Sequence, residues 1–400
     1  MDTRSETRIG VVGSVVVWMC AVTLSHGFQP AQAPAGNAGV PVLLGGARPV
    51  AEVDRAVAAA LGRTQVSAAS VALVGAAGPL YTRAVGTRVL AGAAPADVGT
   101  FFRAASLSKA VFAWIVFTLV GDGRLDLDRP LYEYLPRHLP DYPDYADLAG
   151  DTRYRAITAR LALSHRTGFP NWRWQTKDRK LRILFNPGEK FLYSGEGYRY
   201  LQFVVEQIAG RDLEALARER IFGPLGMTST TYSWRDELAQ NCAIDKASIE
   251  KVFGPGFLKL PNAAGSLLTT ASDYGRFLSA VLAGTGLPGR LRDQMLRPQV
   301  SIAGDGLFGP PVPAGPVTGA EPDHFWCLGW GGFRGAAGAA RFHVGYDSPE
   351  YENYAAVYLE KGLGLVVLTS GGRGPTSAVP VFVEAVLGPN DTPFSWAGYQ

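Results

Sequence analysis

Hydrophobic and polar positions change rhythm several times along the chain, and each change marks an element. From Val50 to Leu61 apolar residues return at helical spacing. Ala68 to Ala76 and Leu80 to Val89 are β-rich runs split by Gly78-Pro79, which predicts a hairpin. Thr100 to Ala104 reads as another short strand. From Ser106 to Val120 the chain is apolar almost all round, with Val111, Phe112, Trp114, Ile115, Phe117 and Leu119. A helix apolar on every side lies buried at the centre of a domain, and Gly121 stops it. The middle, about 125–315, mixes helices such as Tyr200 to Ile208 and Ala271 to Leu282 with long Pro/Gly loops. The carboxyl end returns to strands at Cys327 to Phe333, Ala340 to Tyr346, Tyr354 to Glu360 and Leu363 to Thr369, then a helix from about Ser377 to Leu387.

Strands at both ends with helices between them predict an α+β fold: an antiparallel sheet flanked by helices, built from both chain ends, with an inserted mostly helical lobe. The expected division is a targeting segment at 1–33, a linker at 34–47, a discontinuous α/β lobe from 48–124 and 316–390, and a helical lobe at 125–315. A cleft between the lobes is where a site belongs.

Composition narrows the function. Of 400 residues 47% are hydrophobic and 18% charged, which excludes disorder. The net charge of +3 is weak and scattered, with 8 Lys against 30 Arg and no basic run, which excludes a nucleic-acid partner. Arg4 and Arg8 precede an apolar run from Ile9 to Leu24, and Ala31-Gln32-Ala33 resembles a cleavage site. Sixteen apolar residues are short for a spanning helix, which needs about 20. The chain therefore reads as exported, periplasmic or extracellular, with its first segment either a cleaved signal or a retained membrane anchor. Cys20 lies in that leader, and Cys242 and Cys327 are either one disulfide or two buried thiols.

Chemistry concentrates at Ser106-Leu107-Ser108-Lys109. Serine and lysine at i and i+3 share one face of a helix. A lysine in apolar surroundings loses its proton readily, because burial disfavours the charged form. The neutral amine then takes the serine proton and activates the nucleophile without histidine. A second match, Ser248-Ile249-Glu250-Lys251, sits among polar residues with no strand before it and reads as solvated surface. Tyr193-Ser194-Gly195 follows 87 residues after Ser106, and His343-Val344-Gly345 lies on a carboxyl-terminal strand. A tyrosine beside a lysine can shuttle a proton to a leaving group. A strand with glycine at its point of close approach offers a backbone edge for substrate and an N–H for an oxyanion.

In this order and spacing the chain resembles the penicillin-recognising serine hydrolases: class C-like serine β-lactamases, DD-peptidases and related esterases, whose marks are S-x-x-K, Y-x-N or Y-x-S, and K/H-x-G. The resemblance runs over about 50–388 and includes Leu163-Ser164-His165-Arg166-Thr167-Gly168, Pro187-Gly188-Glu189, Ala264-Gly265-Ser266-Leu267 and Gly329-Trp330. It implies a β-lactamase/transpeptidase-like fold and no cofactor. It casts Ser106 as nucleophile, Lys109 as general base and Tyr193 as proton shuttle. The oxyanion donors would be the N–H groups of Ser106 and Tyr346, with Gly345 in the docking strand and His343 as a pH-dependent cation or donor near substrate. Gly195 replaces the amide side chain that holds an acylamide in peptide- and lactam-binding relatives, with Ser194 or Glu196 as stand-ins. Val344 replaces a hydroxyl residue. These departures favour an esterase or amidase acting on a small-molecule or peptide ester or amide; a DD-peptidase, a β-lactamase and a non-turnover penicillin- or peptide-binding relative are the alternatives.

Other candidates rank lower. His165 is either a second base or a structural residue of its turn. His138 and His324 lack partner spacing, and the chain carries no HExxH, so no metal is implied. Glu189 and Glu196 form a weak candidate for a carboxylate pair. Tyr351-Glu352-Asn353 fits Y-x-N but follows His343, the wrong order. Trp172 and Trp174, beside Arg173, either line a substrate cleft or cover the helical lobe.

Overall fold

The computed structural model describes residues 39–399 except 89–93, 245, 305, 348–350 and 372–376. The leader read at 1–33 lies outside the described residues. Among the described residues no helix is long and apolar enough to cross a membrane.

Eight strands form the main sheet. In chain order they are β1 (Ala68–Gly75), β2 (Gly78–Gly86), β3 (Val300–Ser301), β4 (His324–Trp326), β5 (Gly331–Gly335), β6 (Gly338–Asp347), β7 (Tyr351–Tyr358) and β8 (Leu363–Ser370). Their spatial order is β2-β1-β8-β7-β6-β5-β4-β3, antiparallel throughout. The two chain ends meet where β1 pairs β8, Val71 opposite Val367. The helices that matter here are α1 (Val50–Gly62), α2 (Ser108–Gly121), α3 (Gly195–Ala209), α4 (Ala271–Ala283) and α5 (Ala378–Leu387).

The period-two alternation of the strands sorts their side chains between two cores. Val71, Leu73, Phe342, Val344, Leu365 and Val367 face one core with α1 and α5. Ala72, Val74, Ala355, Val357, Val366 and Leu368 face the other, with α2 and α4. Helix α2 explains its uniform apolarity: every residue from Ser108 to Phe117 is buried. Each large apolar side chain buried there contributes about 1.5–3 kcal/mol, so α2 is held rigidly along its length.

Four expectations are corrected. The linker read at 34–47 is structured from Val40 onward: Val40–Pro41 pairs with Ala47–Arg48, and Leu43 N–H bonds the Leu387 carbonyl at 2.9 Å. Its Val40 and Leu43 are apolar enough to join the core. The sheet takes its edge strand β3 from inside the stretch read as the helical lobe. The single strand predicted over Cys327 to Phe333 is a turn leading into β5: β4 ends at Trp326, and Cys327 N–H closes the turn on the Trp330 carbonyl at 2.7 Å. The strand near residue 100 is Phe102–Arg103, and it pairs with Leu268–Thr269 rather than joining the main sheet. Cys242 and Cys327 are buried free thiols.

Candidate active site

Ser106 sits in a single 3₁₀ turn, Ala105–Leu107, between the short Phe102–Arg103 strand and α2. Ala105 has φ +47°, a left-handed conformation that an alanine adopts at a strain of about 1–3 kcal/mol. The strain holds because the turn is tethered on all sides. Ser108 Oγ donates to the Ala105 carbonyl at 2.5 Å and accepts from Leu267 N–H at 3.0 Å. Tyr232 and Tyr274 hydroxyls donate to the Ser108 and Leu107 carbonyls at 2.9 and 3.1 Å. The turn also rests against β6. Strand β5 pairs only with residues 338–342 of β6, so residues 343–347 have their other edge turned toward the nucleophile. A Cβ on Gly345 would lie 2.4 Å from the Ala104 carbonyl oxygen. Glycine is required here by the approach of the Ser106 turn itself.

Lys109 is fully buried in the first turn of α2. Its Nζ donates to the Ala264 carbonyl at 2.7 Å and lies 2.9 Å from Ser106 Oγ. The rings of Tyr193, Tyr198 and Trp172 stand 4.9, 5.6 and 5.9 Å from Nζ. Burial pushes the ammonium far below the ordinary lysine range. A neutral Nζ offers a lone pair to the serine proton. The Tyr193 hydroxyl is buried and directed at Ser106, whose hydroxyl offsets part of the upward push of burial on the phenol, although no partner stands in full hydrogen-bonding geometry. The structure thus brings Ser106, Lys109 and Tyr193 together. The Ala264 carbonyl is a fourth member; the stretch Ala264-Gly265-Ser266-Leu267 carries the family resemblance, but a backbone acceptor leaves no mark in a side-chain pattern. Asn262 Oδ1 fixes that loop by accepting from Ala264 N–H at 2.9 Å.

A cavity of about 860 Å³ opens over Ser106. Tyr193, Tyr346, Trp172, Trp174, Phe257 and Phe308 line it, and Arg103 is the one charged residue on its wall among the described residues. Burial draws the Arg103 guanidinium down to about 10, which leaves it charged at neutral pH. A second cavity of about 860 Å³ shares the wall formed by Trp174, Phe257 and Asn262.

Tertiary packing decides three further positions. His343 is fully buried in the core and does not line the cavity. Its Nδ1 lies 2.8 Å from the Val344 carbonyl, which can only accept, so Nδ1 carries the proton. Burial, the largest cause, lowers its pKa to about 3. The pH-dependent cation expected near substrate is therefore corrected: His343 is neutral and out of reach. His165 is also buried, at φ +57°. Its Nδ1 accepts Ser194 N–H at 3.0 Å, and burial pushes its pKa well down. Its ring stacks among Tyr193, Tyr198 and Trp326 at 4.3, 5.2 and 4.8 Å, which supports the structural alternative.

The third concerns the position after Tyr193-Ser194. A Cβ on Gly195 would lie 2.6–2.7 Å from the Trp172 indole. The tryptophan ring holds the space that a larger side chain would need. Neither stand-in is available. Ser194 caps α3, accepting Gly197 N–H at 2.9 Å and donating to the Pro170 carbonyl at 2.8 Å. Glu196 is buried and held by Arg173, whose Nε and Nη2 donate to it at 3.0 and 2.8 Å. That fork also rules Glu196 out of a carboxylate pair. Asn353, of the misplaced Y-x-N, is buried in the sheet and bonded to Arg103 and Thr369 backbone at 3.0 Å each. Among the described residues no cluster of His, Cys, Asp and Glu could hold a metal.

The family model described as Beta-lactamase matches residues 53–385. The chain belongs to the beta-lactamase family. Members of this family are serine hydrolases, in accord with the Ser106 and Lys109 geometry. Its relatives include esterase EstB of Burkholderia gladioli, 26% identical over 64% of this chain and 78% of that protein. Protein Rv1367c of Mycobacterium tuberculosis is 27% identical over 51% of this chain and 59% of its own length; the chain thus spans less than two thirds of that relative. Among solved structures, the octameric penicillin-binding protein homologue from Pyrococcus abyssi has a TM-score of 0.64 at 18% identity, covering 85% of this chain and 77% of that one. D-alanine carboxypeptidase AmpC from Burkholderia cenocepacia has a TM-score of 0.63 at 18% identity, covering 84% and 98%. The beta-lactamase family member described here shares their fold: a large antiparallel sheet with helices on both faces.

Proposed function

We propose that this chain is an exported hydrolase of apolar carboxylic esters that works through a Ser106 acyl-enzyme. The observation that carries the reading is the pairing of a fully buried Lys109, whose ammonium burial disfavours, with Ser106 Oγ at 2.9 Å on the floor of a cavity walled by aromatic rings. The leader pattern supports export, and the esterase named among the relatives supports the substrate class.

The steps follow from the positions. Lys109 Nζ takes the Ser106 proton as Oγ bonds to the ester carbonyl carbon. Charge develops on the carbonyl oxygen, which the backbone N–H of Ser106, with that of Tyr346 on the facing strand, would stabilise. The carbon–oxygen bond to the alcohol then breaks, and the alkoxide leaves with the proton from Lys109, relayed through the Tyr193 hydroxyl. A water gives its proton to the same pair as its oxygen bonds to the acyl carbon; the bond from that carbon to Oγ then breaks, Oγ takes the proton back from the pair, and the acid leaves. No charge enters or leaves the balance, and no cofactor is required.

Several features weigh against amide and lactam substrates. No side chain at Gly195 can hold an acylamide, and His343 offers no cation. Arg103 favours a second reading, a D-alanyl carboxypeptidase, because a guanidinium on the cavity wall fits a substrate carboxylate. The deciding assay compares a short nitrophenyl ester, a D-alanyl dipeptide and a chromogenic cephalosporin, using residues 34–400 and Ser106→Ala. We expect ester turnover to fall by about 10³-fold or more in a folded Ser106→Ala protein. Ester turnover that survives in that variant rules out the assignment. Dipeptide turnover that is lost in Arg103→Ala would replace the ester reading with the second.

A further inference from the structure

We infer that the Trp172–Trp174 stack is a binding platform for a flat aromatic group flanking the scissile bond, and that Gly195 is glycine to admit it. The inference rests on the ester hydrolase reading and names its substrate class.

Four observations converge. The two indoles stack at 4.5 Å with an interplanar angle of 11°, and both border the cavity over Ser106. Trp172 fills the space beside Gly195, where any Cβ would meet the ring at 2.6–2.7 Å. The platform is held from behind. Arg173, between the two tryptophans, is forked onto the buried Glu196 at 3.0 and 2.8 Å, and its own N–H bonds Glu196 at 3.0 Å. Asn171 accepts Gly195 N–H through both its backbone and side-chain oxygens at 3.0 Å. Finally, the mouth is apolar and open: Trp174, Leu184 and Phe308 are 40%, 50% and 44% exposed and all line this cavity. Exposed apolar rings gathered at one cleft mark a binding surface.

A rigid pair of parallel rings favours a flat partner over a flexible chain. Stacked rings attract one another beyond what burial of their area gives, and a flat group has no rotamers to freeze. The aromatic group can belong to the acid or to the alcohol of the ester. Methyl 2-naphthoate and 2-naphthyl acetate separate these sources, with ethyl butyrate as the aliphatic reference.

The test measures kcat/KM for the three esters in the wild type, Trp172→Ala and Trp172→Phe. The ratio of one naphthyl ester to ethyl butyrate should fall about three- to tenfold in Trp172→Ala, mainly through KM. Trp172→Phe, which keeps a flat ring, should restore part of it. Ratios for both naphthyl esters that stay within twofold of wild type would overturn the platform. The spatial argument about Gly195 has its own check. Gly195→Asn alone should disable the enzyme by pushing Trp172 aside, whereas Trp172→Ala with Gly195→Asn should recover ester turnover. Equal activity of Gly195→Asn in the two backgrounds would overturn that part.

A binding readout needs no turnover. In Ser106→Ala protein, methyl 2-naphthoate or 2-naphthyl acetate should quench tryptophan fluorescence, and the added Trp172→Ala change should remove most of the quench. An undiminished quench would overturn the platform even if no ester is hydrolysed. Absence of all ester turnover, with the quench intact and Trp172-dependent, would sink the hydrolase reading and leave the platform standing.

Discussion

Lys109 shows how one residue's surroundings set its chemistry. A lysine in water is a cation; in this core no carboxylate compensates it, and burial alone pushes its pKa far down. The proposed mechanism uses the neutral amine, so kcat/KM for an ester should rise with pH as Nζ loses its proton and reach a plateau well below the 10.5 of a free lysine. Lys109→Met should reduce kcat by about 10²–10⁴-fold, the usual range for a general base. It should also raise the melting temperature near neutral pH. There the unfolded chain gains a proton on lysine that the native state refuses, a disadvantage methionine lacks. A melting temperature below wild type would show that the hydrogen bonds to Ser106 and Ala264 outweigh the burial. His343 makes the same argument for acid. Its folded pKa of about 3 lies below the 6.5 of the free side chain. As pH falls from 6.5 toward 3 the unfolded state takes up a proton that the native state does not, so stability is lost across that window. At about 1.4 kcal/mol per unit the loss is on the order of 4–5 kcal/mol. Urea melts of His343→Gln between pH 7 and 3 should show a shallower decline; an unchanged slope would count against this origin.

The elements decide where these residues stand. Helix α2 presents Ser106 and Lys109 correctly because its whole first turn is buried and the preceding turn is braced by Ser108, Tyr232, Tyr274 and β6. At Gly345 that brace leaves no room for a methyl group. Gly345→Ala should shift the Ala104 carbonyl and with it Ser106. The expected outcome is a loss of stability of about 1–3 kcal/mol together with at least about a tenfold loss in kcat. A variant that loses stability while keeping full kcat would show that the turn moves without Ser106. Tyr193 depends on another element boundary, where Ser194 caps α3 and Glu196 in the same turn anchors the Trp172–Trp174 loop. One helix terminus thereby positions both the hydroxyl proposed to relay the proton and a wall of the cavity.

At the scale of the molecule, the sheet is closed by pairing its amino-terminal strands with its carboxyl-terminal ones, and α1 packs with α5 on one face. Neither end can bury its apolar face alone. Thermal unfolding followed by far-UV circular dichroism and by tryptophan fluorescence should therefore give coincident transitions. Two separated steps would show that the helical part melts independently. The same topology places Ser106, Tyr193, Ala264 and Tyr346, which are far apart in sequence, around one cavity.

Much of this was legible in the chain itself. The alternating strands, the all-apolar α2 and the Ser106–Lys109 spacing depend on periodicity and local chemistry, and both are written in consecutive residues. Tyr193 and Gly345 stand out through their resemblance to the family's Y-x-S and K/H-x-G marks, and the structure brings both against the Ser106 turn. What the tertiary structure alone decided were matters of burial and contact between distant segments. Gly195 looked like a lost amide, yet it makes room for Trp172, brought against it from the loop held by Glu196. His343 looked like a cation beside substrate, yet the sheet buries it as a neutral ring. The reason is the same in both cases: periodicity is a property of neighbours along the chain, whereas space and solvation are set by residues that only folding brings together.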